Sequence, residues 1–271
     1  MLKRDGHIHT PFCPHGSKDA FTLYIEEAIK KGFQSITFTE HAPLPPSFTD
    51  PTPLQDSAMT HASLERYLNE LPGLKKEYSG QIDILTGLEV DYISGYEHEI
   101  KSFLDTYGPS LDDSILSVHF LPAGSSFLCL DYDEHTFKEL IAVYGSVENV
   151  YEQYYNEIYS SIVASIGPFK PRRIGHLTLV KKFAKLFPYE MSATVRKLVS
   201  RCLDAIKANG MELDFNTAGL RKAYAGEIYL EEWMIVAAKQ KKSRSSTGLM
   251  PIKRRISDIH MSLTGAPPDN S

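Results

Sequence analysis

Asp5-Gly6-His7-Ile8-His9-Thr10, with Cys13-Pro14-His15-Gly16 close behind it, reads as a strand end running into a turn rich in proline and glycine. In an extended strand residues i and i+2 share a face, so His7 and His9 can converge on one ion. His15 follows a turn later, near enough to serve a second ion. Neutral imidazole suits zinc, iron and manganese alike. A single H-x-H pair among ten histidines is weak evidence, since short motifs arise by chance. The meaning of this stretch depends on what the rest of the chain sets opposite it.

A chain of 271 residues fits one large α/β barrel or two small domains and can bury a sizeable core. Hydrophobic residues at 42% and charged residues at 23% fit an ordinary globular protein. The net charge of −5 gives no electrostatic case for a nucleic-acid or membrane partner. Cys13, Cys129 and Cys202 are widely spaced and odd in number, which points to a reducing cytoplasm rather than a disulfide framework. Met1-Leu2-Lys3-Arg4-Asp5 has no apolar core of the kind a secretory leader carries, and no apolar run is long enough to span a bilayer.

Short apolar runs alternate with amphipathic stretches along the chain. Strands are expected at about residues 4–9, 34–38, 82–88, 114–118, 173–175 and 211–215. Helices are expected from near Ser17, with Ser17-Lys18-Asp19 as capping signal, to Gly32, and at about 62–77, 95–106, 147–163, 190–208 and 230–239. Residues 42–56 form a proline-rich connection, too long for a simple link and of the length that lids have. Repeated strand-then-helix order implies parallel strands with crossover helices. A histidine or acid ends strand after strand: His7 and His9, His41, Glu89, His119, His176. In a parallel barrel those ends form one face, where active sites collect. Each residue alone has an ordinary reading as a core histidine or surface acid; six together are better read as a polynuclear metal site.

The ordered set His7-Ile8-His9-Thr10, Cys13-Pro14-His15-Gly16, Thr39-Glu40-His41, Gly87-Leu88-Glu89-Val90-Asp91, Ser117-Val118-His119 and Gly175-His176 resembles the polymerase-and-histidinol-phosphatase (PHP) superfamily. Within it the chain is similar to the metal-dependent histidinol-phosphate phosphatases, over about residues 3–240. The resemblance implies a distorted seven-stranded (β/α)7 barrel with up to three divalent ions, zinc, iron or manganese. It implies His7, His9 and Glu89 at one ion, His15 and His41 at a second, and Glu89, His119 and His176 at a third, with Glu89 bridging. It further implies hydrolysis of L-histidinol phosphate in histidine synthesis, with no nucleic-acid or membrane partner. Two rivals are another PHP-type phosphoesterase, acting on a nucleotide or phosphotyrosine, and a metal-binding protein without catalysis.

Clustered divalent ions suit phosphomonoester chemistry, since they gather a phosphate dianion and stabilise attacking and leaving oxygens. No Ser-His-Asp arrangement competes. Glu40 and Asp91 are candidates to orient imidazoles from behind. Arg221, Lys181 and Lys182 are candidate cations for the substrate phosphate, with Arg221 favoured because a guanidinium grips phosphate bidentately.

The resemblance also implies a late strand followed by Gly-Ser-Asp-Ala-His, which completes two of the metal sites. Here Lys242 is followed by Ser243-Arg244-Ser245-Ser246-Thr247-Gly248-Leu249-Met250-Pro251-Ile252, which has no strand pattern. The third base of each codon taken with the first two of the next permits Ile-Pro-Leu-Val-Tyr-Gly-Ser-Asp-Ala-His, an unbroken strand and motif. Residues 1–242 are therefore expected to form the barrel, and 243–271 to be a frame-shifted tail outside it, leaving the last strand missing and fewer metals bound. In the competing reading Asp258-Ile259-His260 supplies the last two ligands, although it follows a Lys/Arg run that has no reason to sit at the barrel face.

Overall fold

The computed structural model describes residues 3–14, 16–215, 218–226, 229–243 and 252–254. Seven strands form a single parallel sheet: β1 (Arg4–Ile8), β2 (Ser35–His41), β3 (Asp83–Asp91), β4 (Ile115–Ser117), then, after a hairpin, β7 (Arg173–Ile174), β8 (Glu212–Phe215) and β9 (Ile252–Arg254). Their order in the sheet is their order in the chain, and every neighbouring pair is parallel. Parallel neighbours need crossovers, and helices α1 (Phe21–Lys30), α2 (His61–Glu77) and α3 (Glu97–Tyr107) supply the first of them. The sheet curls so that β9 comes near β1, which gives the α/β barrel its distorted, partly closed form.

Register explains why the strand ends meet. Ser35 through His41 pair in sequence with Asp83 through Glu89, so His41 lies directly beside Glu89. Glu89 in turn pairs with Ile115, and Asp91 with Ser117. Paired residues of a sheet share a face, so one face of β2, β3 and β4 presents His41, Glu89 and Asp91 together.

The outer layer is held by buried apolar and aromatic side chains. Ile25, Ile36, Phe38, Leu64, Tyr67 and Leu88 are among the fully enclosed ones. Tyr67 brings its own polar tip inside, and its hydroxyl donates to the carbonyl of Phe38 at 2.9 Å and of Gly87 at 2.8 Å. The phenol thereby ties α2 to both β2 and β3, satisfying the requirement that buried hydroxyls find partners. Gly87 is needed where it stands, because a Cβ there would lie 2.0 Å from the carbonyl oxygen of Asp113.

The structure departs from the sequence expectations in four places. Helix α1 starts at Phe21 with Ala20 as cap, and Ser17 and Asp19 bond to each other instead of capping it. The Gly/Ser segment 123–126 is the turn of an antiparallel hairpin, β5 (Phe120–Ala123) and β6 (Ser126–Cys129), inserted after β4. A further helix, α4 (Glu134–Tyr144), capped by Asp133 and ended by Gly145 at φ 85°, precedes α5 (Val147–Val163). The seventh position of the sheet, expected to lack the family's strand, is taken by the three residues of β9, which lie in the tail. An exposed sheet edge offers unpaired N–H and C=O groups to any extended segment, whatever its side chains. Helices α6 (Ala193–Ala208) and α7 (Glu232–Ser243) complete the fold. No helix among the described residues is long and apolar enough to cross a membrane.

Candidate metal centre

Glu89 lies at the middle of the strand ends and is almost fully enclosed. Its Oε2 is 3.0 Å from His7 Nε2, 3.2 Å from His9 Nε2 and 3.7 Å from His41 Nε2. Its Oε1 is 2.9 Å from His176 Nε2 and 3.7 Å from His119 Nε2, and accepts from Ser117 Oγ at 2.6 Å. One carboxylate therefore faces five imidazoles, three on one oxygen and two on the other. Gly175 allows this crowding, since a Cβ there would sit 2.1 Å from the Ser117 hydroxyl that holds Glu89.

Two imidazoles are fixed from behind. His7 Nδ1 lies 2.8 Å from Asp214 Oδ2, and His119 Nδ1 lies 2.6 Å from Asp91 Oδ1. A carboxylate partner puts the proton on Nδ1 and leaves Nε2 as a lone pair aimed inward. These lone pairs face other histidine nitrogens: His7 Nε2 is 3.1 Å from His9 Nε2, and His119 Nε2 is 3.1 Å from His176 Nε2. Imidazole nitrogens converging at such distances, with a carboxylate between them, form a donor set that fits divalent cations once an ion displaces their protons. Ligand atoms fall into four overlapping groups, each within 4.8 Å: His7, His9 and Glu89; Glu89, His119 and His176; His41, Asp91 and His119; and His9, Cys13 and His41.

Electrostatics agree with a site built to be cationic. Burial opposes ionisation of Glu89, yet His7, His41 and His176 hold its carboxyl well below the ordinary range. Burial likewise opposes charge on His119, but Asp91, Asp131 and Glu89 hold its pKa up at about 10. For His7, Glu89 and Asp214 outweigh the same penalty and raise it. His9 goes the other way: burial, with His41 and His7 beside it, lowers it to about 3, so its ring is neutral and able to ligate near pH 7.

The structure brings together His7, His9, His41, Glu89, His119, His176 and Asp91. His15 lies outside the described residues, as do Asn216, Asp258 and His260 and the side chain of Arg221. Glu40 does not reach an imidazole: it accepts from the backbone N–H and hydroxyl of Thr10, at 2.8 and 2.5 Å, and so fixes the turn behind His9. Burial pushes its carboxyl up to about 8. Lys181 bonds Glu231 at 2.8 Å, and Lys182 bonds the carbonyl and, at 3.3 Å, the carboxylate of Asp131. Both lysines are thus spoken for by acids.

Sequence reasoning missed Asp214, Asp131, Ser117 and Arg173. Asp214 had a legible signal, since Leu213-Asp214-Phe215 puts an acid on the inward face of an alternating strand. Arg173 had none: it is buried beneath the site, bonding Asp214 at 2.9 Å and Asp113 at 2.9 Å, where sequence shows only a basic residue before a strand. A Cβ on Gly6 would lie 2.9 Å from that guanidinium, which explains the glycine in β1.

Comparison with known proteins agrees with this arrangement. The model of the PHP domain matches residues 5–218. Histidinol-phosphatase of Bacillus subtilis (strain 168) is 74% identical over 242 residues, covering 89% of this chain and 90% of that protein. The crystal structure of a candidate histidinol phosphatase of Listeria monocytogenes superposes with a TM-score of 0.86 at 36% identity, over 89% of this chain and 92% of the other. The histidinol phosphate phosphatase of Lactococcus lactis, solved with zinc, L-histidinol and phosphate, has the same fold at a TM-score of 0.65 and 23% identity, over 88% and 81%. A carboxylate shared among strand-end histidines, on a parallel barrel whose chain matches that domain over most of its length, makes this protein a member of the PHP family, in its histidinol-phosphatase branch.

Proposed function

We propose that this chain hydrolyses L-histidinol phosphate to L-histidinol and phosphate, as its Bacillus relative's name states of that protein. The observation that carries the proposal is Glu89, with three imidazoles on one oxygen and two on the other. Water supplies the new P–O bond, the P–O bond to the alcohol breaks, and the alcohol oxygen leaves with a proton derived from that water. Divalent ions in such a site supply positive charge for the phosphate and lower the pKa of water.

His7, His9 and Glu89 would hold one ion and Glu89, His119 and His176 another, while His15 and His41 belong to a further one. Asp214 and Asp91 keep the His7 and His119 rings in their ligating tautomers. Zinc, iron and manganese all suit this mixed imidazole and carboxylate set; zinc is the metal held by the Lactococcus structure. Arg221, Lys181 and Lys182 remain candidates to neutralise substrate phosphate, with Lys182 and Asp131 near the histidines. Asp131 is depressed: burial works against it, and Lys182, His119, His176 and His41 together outweigh that. Cytoplasmic residence follows as an expectation from a biosynthetic substrate and three cysteines, odd in number and widely spaced.

The barrel is assigned to residues 1–242 and the segment 243–271 to a tail that does not carry the family's last ligands. Activity in this chain is accordingly expected to be impaired. The test is turnover of L-histidinol phosphate, a nucleotide monophosphate and a phosphotyrosine peptide by metal-loaded protein. Preference for the first supports the proposal. Preference for either other substrate selects a different PHP-type phosphoesterase, and metal uptake without turnover of any selects the non-catalytic reading.

A further inference from the structure

Glu89, Asp91 and Asp214 each touch an imidazole of the centre, at 2.9, 2.6 and 2.8 Å. Asp131 touches none among the described residues and joins none of the donor groups, although His119, His176 and His41 lie near enough to act on its charge. Its place is set by the hairpin β5–β6. Phe120 pairs with Cys129, and Leu130 N–H donates to the His119 carbonyl at 2.7 Å, so the next residue emerges beside that histidine. The Asp131 side chain is 23% exposed, whereas those of Asp214 and Glu89 are 2% and 1% exposed. Of these acids, Asp131 is the one a substrate can meet.

A fixed anion beside a phosphate site repels the phosphate, unless the substrate also carries a cation. Asp131 is only partly neutralised by the protein. Lys182 Nζ reaches Oδ2 at 3.3 Å, and the Cys129 thiol donates to Oδ1 at 3.5 Å. A charge-assisted bond between ammonium and carboxylate is about 2.8 Å long, so both oxygens retain capacity for a better donor. The surroundings await a polar group as well. The Tyr229 hydroxyl is buried and has no hydrogen-bond partner among the described residues, its ring lies 6.3 Å from that of His176, and burial together with Asp131 raises its pKa. Buried hydroxyls find partners as a rule, and this one is a protonated donor within electrostatic reach of Asp131.

We propose that Asp131 is a specificity-determining residue: its carboxylate takes the ammonium of an amino-alcohol phosphate whose phosphate lies on the metals. This rests on the histidinol-phosphatase reading above and deepens it, by assigning the group that separates this substrate from the rival ones. In L-histidinol phosphate the ammonium sits on the carbon next to the one bearing the ester oxygen. A cation therefore follows the phosphate into the site. A nucleotide carries a sugar carbon at that position and phosphotyrosine a ring carbon, so neither compensates the charge of Asp131.

The test uses the full chain loaded with zinc, in excess inorganic phosphate, with L-histidinol as the probe because the product is bound but not consumed. Calorimetry compares it with imidazolylpropanol, the same molecule without its amine. The parent should bind L-histidinol about tenfold tighter or more, the strength of one hydrogen bond to a charged group. Asp131→Asn should bring the two ligands to within about twofold of each other by weakening L-histidinol alone, with zinc content unchanged. Asp131→Glu should restore most of the preference. Should Asp131→Asn fail to fold, carbodiimide coupling of L-histidinol to the parent decides alone: the amide should map to Asp131, and an amide elsewhere or none overturns the proposal. Equal binding of both ligands by the parent, or equal losses for both in Asp131→Asn, overturns the proposal and leaves hydrolysis of L-histidinol phosphate standing. No binding of L-histidinol by the parent overturns it too, and if turnover of the phosphate ester is missing as well, the substrate reading falls with it.

Discussion

Asp214 Oδ2 lies 2.8 Å from His7 Nδ1, while Oδ1 of the same carboxylate takes the buried guanidinium of Arg173 at 2.9 Å. One acid therefore joins a candidate metal ligand on β1 to a charged post beneath the site, and Arg173 passes the connection on to Asp113. Acids behind metal-bound imidazoles set ring tautomer and basicity, and removing them typically costs 10–100-fold in metal affinity. Asp214→Asn should weaken metal binding by about that factor, measured by competition with a chromophoric chelator. Unchanged affinity would show that Asp214 serves only Arg173.

Glu89→Gln should do more. Glu89 belongs to two of the donor groups, and its charge offsets positive charge that neutral imidazoles cannot. The amide should lower bound metal by at least one ion per chain and reduce turnover with it. Metal content by elemental analysis, beside phosphatase rate, is the measurement. Full content with near-parental turnover would remove Glu89 from the site.

These two acids mark the boundary of what the sequence made legible. Glu89, His7, His9, His41, His119 and His176 announce themselves because each ends a recognisable apolar strand, and parallel order brings such ends together. Asp91 followed from its place two residues past Glu89. The role of Glu40 did not, because alternation says which face a residue occupies but not whether a turn from elsewhere, here Thr10, arrives to claim it. The hairpin after β4 was hidden for a similar reason. Its strands are four residues each, too short for alternation to stand out, and their turn reads as an ordinary Gly/Ser loop.

The metal-free protein should be most stable at mildly acidic pH. His119 is raised from 6.5 to about 10 and Glu40 from 4.5 to about 8, so the folded state holds both protons longer than the unfolded chain. Their contributions are full below the unfolded values and are lost as pH rises through the folded ones. Glu89 and Asp131 are lowered, and His9 is lowered from 6.5 to about 3, so theirs is present above their unfolded values and lost on acidification. Melting temperature in chelator should therefore peak near about pH 5 and fall toward pH 10. Asp91→Asn should flatten the alkaline fall, because Asp91 leads the groups that raise His119. A midpoint that rises from pH 6 to 9 would contradict this assignment of protons.

Residues 42–56 should act on substrate selectivity rather than on metal. The segment leaves from His41 and is pinned at Phe48, whose ring packs edge-on against Phe120 at 5.0 Å and Tyr96 at 5.3 Å. Ser47 N–H adds a bond to Glu99 at 3.0 Å. Phe48→Ala removes the anchor and should raise KM for L-histidinol phosphate several-fold more than KM for a simple aryl phosphate, with metal content unchanged. Equal rises for both substrates would point to packing alone.

The last expectation concerns the tail. The sequence relative at 74% identity matches over 242 residues, the length of the barrel assigned here. Beyond it, the described structure offers the sheet three residues, Ile252–Arg254, whose pairing with Leu213–Phe215 uses backbone groups that any sequence has. By contrast, the shifted-frame reading Ile-Pro-Leu-Val-Tyr-Gly-Ser-Asp-Ala-His supplies an apolar strand and then an acid and a histidine, the donor types the site already uses. A chain in which that reading replaces the residues after Lys242 should cover the edge of β8 with a strand that also buries side chains. It should bind more metal per chain, turn over L-histidinol phosphate faster and melt several degrees higher, since one to two kcal/mol moves the midpoint of a domain this size by that much. The competing assignment to Asp258 and His260 makes the opposite forecast: Asp258→Asn with His260→Asn would strip metal from the present chain, and the replacement would gain nothing. Intact mass of the expressed protein fixes which tail is in the tube. Elemental analysis, turnover and melting of both chains then decide, and equal values in all three would reject the shifted frame.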